Sequence, residues 1–157
     1  MALGPLVKTL QNIMRNDAGI NGDAQRIEQM TWLFFLKIYD AKEEEWEFHD
    51  DSYESIIPDR LRWHSWAPDA KDGNALTGDE LLDFINNDLF KTLAGLELAQ
   101  NAPLRQVVVK AAFTDANNYM KDGILLRQVV NAIDDAVDFT EYKERHAFGE
   151  IYETILK

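Results

Sequence analysis

The 157-residue chain contains no cysteine, and this absence removes several kinds of chemistry at once. Disulfide bonds, thiolate metal sites and a cysteine nucleophile are excluded, which suits a protein of the reducing cytoplasm. The eight glycines stand singly, with Gly19 and Gly22 the closest pair, so no glycine-rich loop can cradle a nucleotide or cofactor. The N-terminus lacks a basic stretch followed by a long apolar one, so we predict no signal peptide.

Long hydrophobic runs are also missing. The most apolar segment, residues 30–39, is too short to span a bilayer, so we expect no membrane partner. Its helical period extends back to Ile27 and places apolar side chains on nearly every side, which is typical of a buried central helix. The polar strip of this helix consists of Arg26, Gln29, Lys37 and Asp40. Its two bases either pair with acids of this chain or contact an anionic partner.

Basic residues are scarce, and the net charge is −12. Residues 40–54 hold eight acids and one base, which concentrates a charge of −7 in one block, whereas residues 1–37 carry +1. Because non-specific affinity for nucleic acid comes from neutralising phosphates, we expect the chain alone to bind DNA weakly.

The remaining patterns predict helices and no other regular structure, so the predicted fold class is all-α. We expect a single helical bundle over residues 1–157, with a loop-rich excursion between residues 48 and 77. Thr77 and Glu80 have the spacing of a capping box. The helix that this box opens is predicted to end at Gly95. Other helices are predicted over residues 3–14 and from Asp23 or Ala24 into the acidic block. One more begins at Pro103, with Leu104, Val107, Val108 and Ala111 behind it, another begins near Gly123 and breaks at residues 138–140, and the last residues, from His146 onward, carry a final helical stripe.

One short segment between Pro58 and Pro68 interleaves bases with aromatic residues. Its members are Arg60, Arg62, Trp63, His64 and Trp66. Arginines can grip phosphates and indoles can stack on bases, so this segment is a candidate contact with DNA or another subunit, together with Arg26 and Lys37. In the alternative interpretation, the tryptophans pack on the bundle and the arginines balance the acidic block.

Catalytic and metal-site patterns are weak. The cluster of Glu47, His49, Asp50 and Asp51 has oxygen ligands for a divalent ion but lacks the spacing of a calcium loop. A solvated acidic turn is the simpler interpretation, and we name no catalytic, cofactor-binding or metal-binding residue.

Several segments in order resemble the N-terminal helical domain of the modification subunit (HsdM) of type I restriction-modification systems. The similar segments are the apolar run at residues 30–39, the acidic turn, Ile57–Pro58, Arg62–Trp63, Phe139–Thr140 and residues 149–156. The apolar stripe at residues 148–156 stops at Lys157 without a capping residue. In that family the corresponding stretch leads directly into a methyltransferase domain, so we expect the chain to be a fragment that ends just before one.

The resemblance implies a parent enzyme that transfers methyl from S-adenosylmethionine to N6 of adenine. Its expected partners are a specificity subunit, a second modification subunit and DNA in the assembled complex, with a restriction subunit as a further candidate. In such proteins this domain is implied to assist assembly, DNA clamping and sensing of methylation state. We expect no cofactor in this fragment, because it has neither the cofactor loop nor the Asn-Pro-Pro-Tyr or Asn-Pro-Pro-Phe tetrapeptide of N6-adenine methylases. Two alternatives remain: a stand-alone acidic adaptor for proteins and a metal-dependent enzyme.

Overall fold

The computed structural model describes residues 3–69 and 75–136. Their regular structure consists of seven α-helices, one 3₁₀ turn and one π-helical turn. The helices are α1 (Leu3–Met14), α2 (Gly22–His49), α3 (Trp63–Trp66), α4 (Gly78–Asp83), α5 (Phe90–Ala94), α6 (Leu104–Thr114) and α7 (Gly123–Ala136). A 3₁₀ turn covers Asp59–Leu61, and a π-helical turn, Phe84–Leu89, joins α4 to α5. The predicted all-α class is confirmed, since these described residues contain no strand.

Helix α2 is the central element. Its 28 residues extend about 42 Å, and its buried side chains include Met30, Leu33 and Phe34. Trp32 packs edge-on against Phe90 of α5, with ring centroids 4.8 Å apart. The prediction of a buried central helix is therefore confirmed, because aromatic side chains on opposite sides of α2 are removed from solvent.

The outer helices follow the predicted amphipathic patterns. Helix α1 buries Leu6, Val7, Leu10 and Met14, and it packs mainly against α7. Helix α7 also packs against α4 and begins at Gly123 as predicted. The predicted break at residues 138–140 and the apolar stripe from His146 onward lie outside the described residues.

The chain between α2 and α4 is loop-rich, as predicted. The excursion begins after His49, the last residue of α2. Ile57, Leu61 and Trp66 are buried, so this excursion is packed onto the bundle. Within the described residues, no helix is both long and apolar enough to cross a membrane.

The predicted start of α4 is correct, but its capping box is wrong. Thr77 occupies the N-cap position, and its side chain makes no capping hydrogen bond. Gly78 has φ +59°, in the left-handed region, so the backbone does not enter the helix with the geometry that a capping box needs. The carbonyl group of Gly78 instead lies against Gly123, where an added Cβ would overlap it.

Helix α6 differs from its prediction in two respects. Pro103 is the N-cap residue and not the first helical residue. The helix buries Val109 and Phe113, whereas Leu104, Val107 and Val108 are exposed. The exposed residues form a second apolar face, because the two sets point in different directions around the helix.

Candidate interaction site

Arg62 connects the excursion to the acidic side of α2. Only 8% of the residue is exposed, and its Nε atom lies 3.7 Å from Asp40 Oδ1 and 3.6 Å from Glu43 Oε1. Its Nη2 atom donates a hydrogen bond to Glu47 Oε1. The three acids lie on one face of α2 because they are three, four and seven residues apart. Part of the acidic block is therefore neutralised inside the molecule.

Glu43 lies at the buried end of this cluster. Tyr53 donates a hydrogen bond to Glu43 Oε2 at 2.6 Å. Burial raises the pKa of the Glu43 carboxyl above its ordinary value, although hydrogen bonds and Arg62 oppose the shift. Burial, together with the charge of Glu43, also raises the pKa of Tyr39 to about 12. Burial lowers the pKa of Arg62, but its carboxylate partners raise it by more, so the guanidinium stays charged.

The two tryptophans of the excursion are buried. Trp63 Nε1 donates to Asp134 Oδ1 of α7 at 2.9 Å, and Trp66 Nε1 donates to the Leu61 carbonyl at 3.0 Å. The two indole rings meet edge-on, with centroids 5.4 Å apart. In this arrangement the indoles serve as packing groups, and their faces are not open for stacking on bases.

Lys37 reaches the same part of α7. Its Nζ atom donates to the carbonyls of Ile133 and Asp134 at 3.2 and 2.7 Å, and it lies 3.5 Å from Asp134 Oδ1. A lysine in this position supplies donors to two backbone carbonyl groups of α7. Lys37 thus ties α2 to α7.

The remaining candidate bases have different environments. Arg60 is exposed and forms a two-pronged pair with Asp88 of the π turn, at 3.2 and 2.7 Å, which lowers the pKa of Asp88. The half-exposed His64 has its Nδ1 atom 2.8 Å from Asp40 Oδ1. Arg26 pairs with Asp23 near the start of α2.

The structure therefore brings together Arg62, Trp63 and His64, connects Lys37 to this group through Asp134, and leaves Arg26 and Arg60 apart. Their contacts are those of packing and internal pairing. Contact of these residues with DNA or a subunit stays a prediction, with Arg60 and His64 the most accessible members.

A separate pocket of about 300 Å³ lies between α2 and α6. Its lining residues are Glu28, Thr31, Trp32, Phe35, Ala112, Asp115 and Ala116. The Trp32 side chain is buried, and its Nε1 atom has no hydrogen-bond partner within residues 3–69 and 75–136. Glu28 and Asp115 are both exposed, and the lining contains no base. The pocket is thus apolar with an acidic rim.

The exposed face of α6 adjoins this pocket, because Val108 and Ala111 stand four residues before the pocket residues Ala112 and Asp115. Leu104, Val107, Val108 and Ala111 are spaced as one helical stripe, and Leu104 is 75% exposed. Sequence reasoning treated this stripe as an ordinary apolar pattern and missed its exposure. The available signal was the presence of a competing set, Val109 and Phe113, because a helix with two apolar faces can bury both only against two partners.

Metal binding has no support in the part of the chain that the structure describes. No group of three histidine or acidic side chains there is arranged to hold an ion. Asp50 instead accepts hydrogen bonds from the backbone N–H and hydroxyl of Ser52, at 2.9 and 2.6 Å. Only Asp50 and Asp51 of the predicted acidic cluster belong to a solvated turn, because Glu47 and His49 lie in the last turn of α2 and Glu47 pairs with Arg62.

A comparison with known families gives a match over most of the chain. A sequence profile of the family described as HsdM N-terminal domain matches residues 3–133. The chain is also 51% identical over 157 residues to the type I restriction enzyme EcoEI methylase subunit of Escherichia coli. The alignment covers 100% of this chain and 31% of that protein, so the chain spans about a third of the length of the curated relative.

Solved structures share the fold. A modification subunit assigned to a type I restriction enzyme from Vibrio vulnificus YJ016 has a TM-score of 0.82 and 36% identity, over 98% of this chain and 34% of that chain. A second structure, from work on complex assembly and conformational transition of the type I R-M system, has a TM-score of 0.78 and 28% identity. It matches 98% of this chain and 29% of its own.

Proposed function

Because the chain belongs to the HsdM N-terminal domain family, we propose that it is the non-catalytic N-terminal module of a type I modification subunit. The observation that carries this proposal is the match over residues 3–133, supported by the 51% identity to a type I methylase subunit. The module helps to assemble the enzyme, to clamp DNA and to sense its methylation state. The whole protein acts in the cytoplasm.

The catalytic step belongs to a part of the protein other than this chain. Transfer of methyl from S-adenosylmethionine to adenine N6 needs a cofactor loop and a site for the flipped base. Neither the glycine-rich loop nor the Asn-Pro-Pro tetrapeptide occurs in residues 1–157. The partners of the module are the specificity subunit, a second modification subunit, DNA in the assembled complex and, in the restriction enzyme, the restriction subunit.

The geometry favours assembly over direct DNA binding as the main task of this module. Arg62 and Lys37 engage groups of the same chain, so they do not form an open basic surface. Exposed apolar side chains occur on α6, and such faces are characteristic of contacts with proteins. DNA clamping then depends mainly on bases of the other subunits.

The reading frame beyond the codon for Lys157 tests the proposal directly. It should encode a glycine-rich S-adenosylmethionine loop followed by an Asn-Pro-Pro-Tyr-like tetrapeptide. The full-length protein, mixed with its specificity subunit, should then form a complex that methylates adenine, while calorimetry should detect no S-adenosylmethionine binding by residues 1–157. A stop codon after Lys157 would favour the adaptor hypothesis, and stoichiometric cofactor binding by these residues would contradict the assignment.

A further inference from the structure

Val108 and Ala111 of the exposed stripe stand four residues before the pocket residues Ala112 and Asp115, so they are their neighbours on the surface of α6. We call the stripe and the adjoining pocket together the α6 docking face. It consists of Leu104, Val107, Val108, Ala111, the pocket residues Trp32, Phe35 and Ala112, and the rim residues Glu28 and Asp115. We propose that this face binds an amphipathic helix of a partner subunit, with an apolar side chain seated in the pocket and a lysine or arginine at the rim.

A helical occupant follows from the direction of the two helices that border the groove. Phe35 contacts Phe113 with centroids 6.1 Å apart, and the Tyr39 hydroxyl donates to the Arg105 carbonyl at 2.8 Å. Higher residue numbers on α2 therefore meet lower numbers on α6, so the helices run antiparallel. A third helix can lie along such a pair with anchors at i, i+3 or i+4, and i+7. The stripe from Leu104 to Ala111 offers matching contacts over about 10 Å.

The apolar side chain of the occupant is favoured by the pocket floor. The indole of Trp32 and the ring of Phe35 line the pocket, and ring burial is a large source of interface free energy. Among the residues that the structure describes, the buried Trp32 Nε1–H has no acceptor, although a buried tryptophan N–H usually finds one.

Charge complementarity selects a basic occupant. Glu28 and Asp115 stand at the rim without a base among the lining residues, although the Tyr119 hydroxyl donates to Glu28 Oε2 at 2.6 Å. A phosphate backbone would be repelled by this rim and by the net charge of −12. A second copy would bring another acidic rim and the same net charge. A helix with lysine or arginine near its apolar anchors complements both the acidic rim and the negative net charge.

This inference rests on the proposed function, because it assumes a multisubunit enzyme. The test uses the full-length modification subunit assembled with its specificity subunit, and with the restriction subunit in a parallel sample. A benzophenone amino acid at Val108, activated by light, should cross-link to a helical segment of a partner subunit that carries lysine or arginine beside apolar residues. The same probe at Ile124, a 62% exposed residue of α7, is the matched control and should not label that segment.

Substitutions supply a second readout. The double change Leu104→Glu and Val108→Glu should weaken subunit affinity at least tenfold, while Ile124→Glu leaves it unchanged and all variants keep their melting temperature. Asp115→Lys should weaken assembly at low salt, and reversing the charge of the cross-linked base should restore it. Cross-links to DNA, to residues 1–157 of either copy or to nothing in an active complex would overturn the inference, as would unchanged affinity of the double variant. In each of these cases methylation by the wild-type complex would leave the proposed function standing. A wild-type subunit that neither assembles nor methylates would overturn both.

Discussion

Trp63 and Asp134 are 71 residues apart in the chain, and the indole Nε1 of Trp63 donates to Oδ1 of Asp134 at 2.9 Å. Lys37 approaches the same carboxylate from α2, with its Nζ atom 3.5 Å from Oδ1. One acid of α7 thus receives a donor from the excursion and a cation from the central helix. Trp63 and Lys37, which the sequence offered as contacts with DNA or another subunit, therefore stabilise the junction of the excursion, α2 and α7.

The first prediction concerns the two properties of Trp63. Trp63→Phe keeps most of the ring and removes the donor to Asp134, so it should destabilise the fold by about 1.5–3 kcal/mol, as for a lost hydrogen bond to a charged group. Trp63→Ala also creates a cavity and should cost roughly 3–5 kcal/mol. Urea unfolding measures both values. If both variants were as stable as the wild type, Trp63 would be a surface residue that acts only in contact with DNA or another subunit.

The second prediction separates two neighbouring arginines. Arg62→Ala leaves the buried Glu43 and Asp40 without their cation, so it should destabilise by roughly 3–5 kcal/mol. Arg60→Ala removes an exposed pair with Asp88 and should leave the melting temperature close to that of the wild type. If Arg60 contacts DNA or a subunit, its variant should lose assembly or methylation while keeping that melting temperature. Equal melting temperatures for the two variants would contradict the buried ion cluster.

The third prediction is the pH dependence caused by Glu43. Burial raises its pKa in the folded protein above the ordinary value of 4.5, so protonation favours the folded state. This contribution is fully present below the unfolded pKa and is lost as the pH rises through the folded pKa. Glu43→Gln has no such titration, so its melting temperature relative to wild type should increase from about pH 4 to about pH 7.

The exposed Glu44→Gln of the same helix is the control for the loss of one carboxylate from the acidic block. A relative stability of Glu43→Gln that falls as the pH rises would show that pairing with Arg62 outweighs burial.

The fourth prediction tests the backbone contact between α4 and α7. A Cβ at position 123 would overlap the carbonyl oxygen of Gly78, and backbone atoms cannot move aside as a flexible side chain can. Gly123→Ala should therefore destabilise by about 1–3 kcal/mol, the usual range for overpacking. Gly4→Ala in α1 meets no atom within 4 Å and should be neutral or stabilising. Thermal unfolding of the two variants would contradict the contact if both were neutral.

The fifth prediction concerns DNA. Residues 1–157 carry a net charge of −12, and the bases of their arginine-tryptophan segment pair largely with acids of the chain. Binding of the isolated chain to duplex DNA should thus be weak and should disappear near physiological salt. Fluorescence anisotropy of labelled duplex DNA over a salt series measures this affinity. Tight binding that survives high salt would contradict the prediction, because it requires unpaired bases on the surface.

The sequence alone predicted the helices well because their signals are local. The apolar period of α1, the buried character of α2 and the end of α5 near Gly95 follow from side chains a few residues apart. The failed capping box, in contrast, involves a residue that packs against a distant part of the chain. A capping box at Thr77 requires a particular conformation of Gly78. In the structure Gly78 has a positive φ, and its carbonyl group packs against Gly123.

The roles of charged and aromatic side chains were decided by tertiary structure. The residue types at Arg60, Arg62 and Trp63 are compatible with either DNA contact or packing within the fold, because the same side chains can serve both roles. Only the fold places Asp40 and Glu43 around Arg62, Asp134 beside Trp63, and Asp88 beside the exposed Arg60. Likewise, helical periodicity identified the apolar residues of α6 but could not state which face meets α2. That choice depends on how distant helices fill the core, and it leaves the stripe from Leu104 to Ala111 facing solvent.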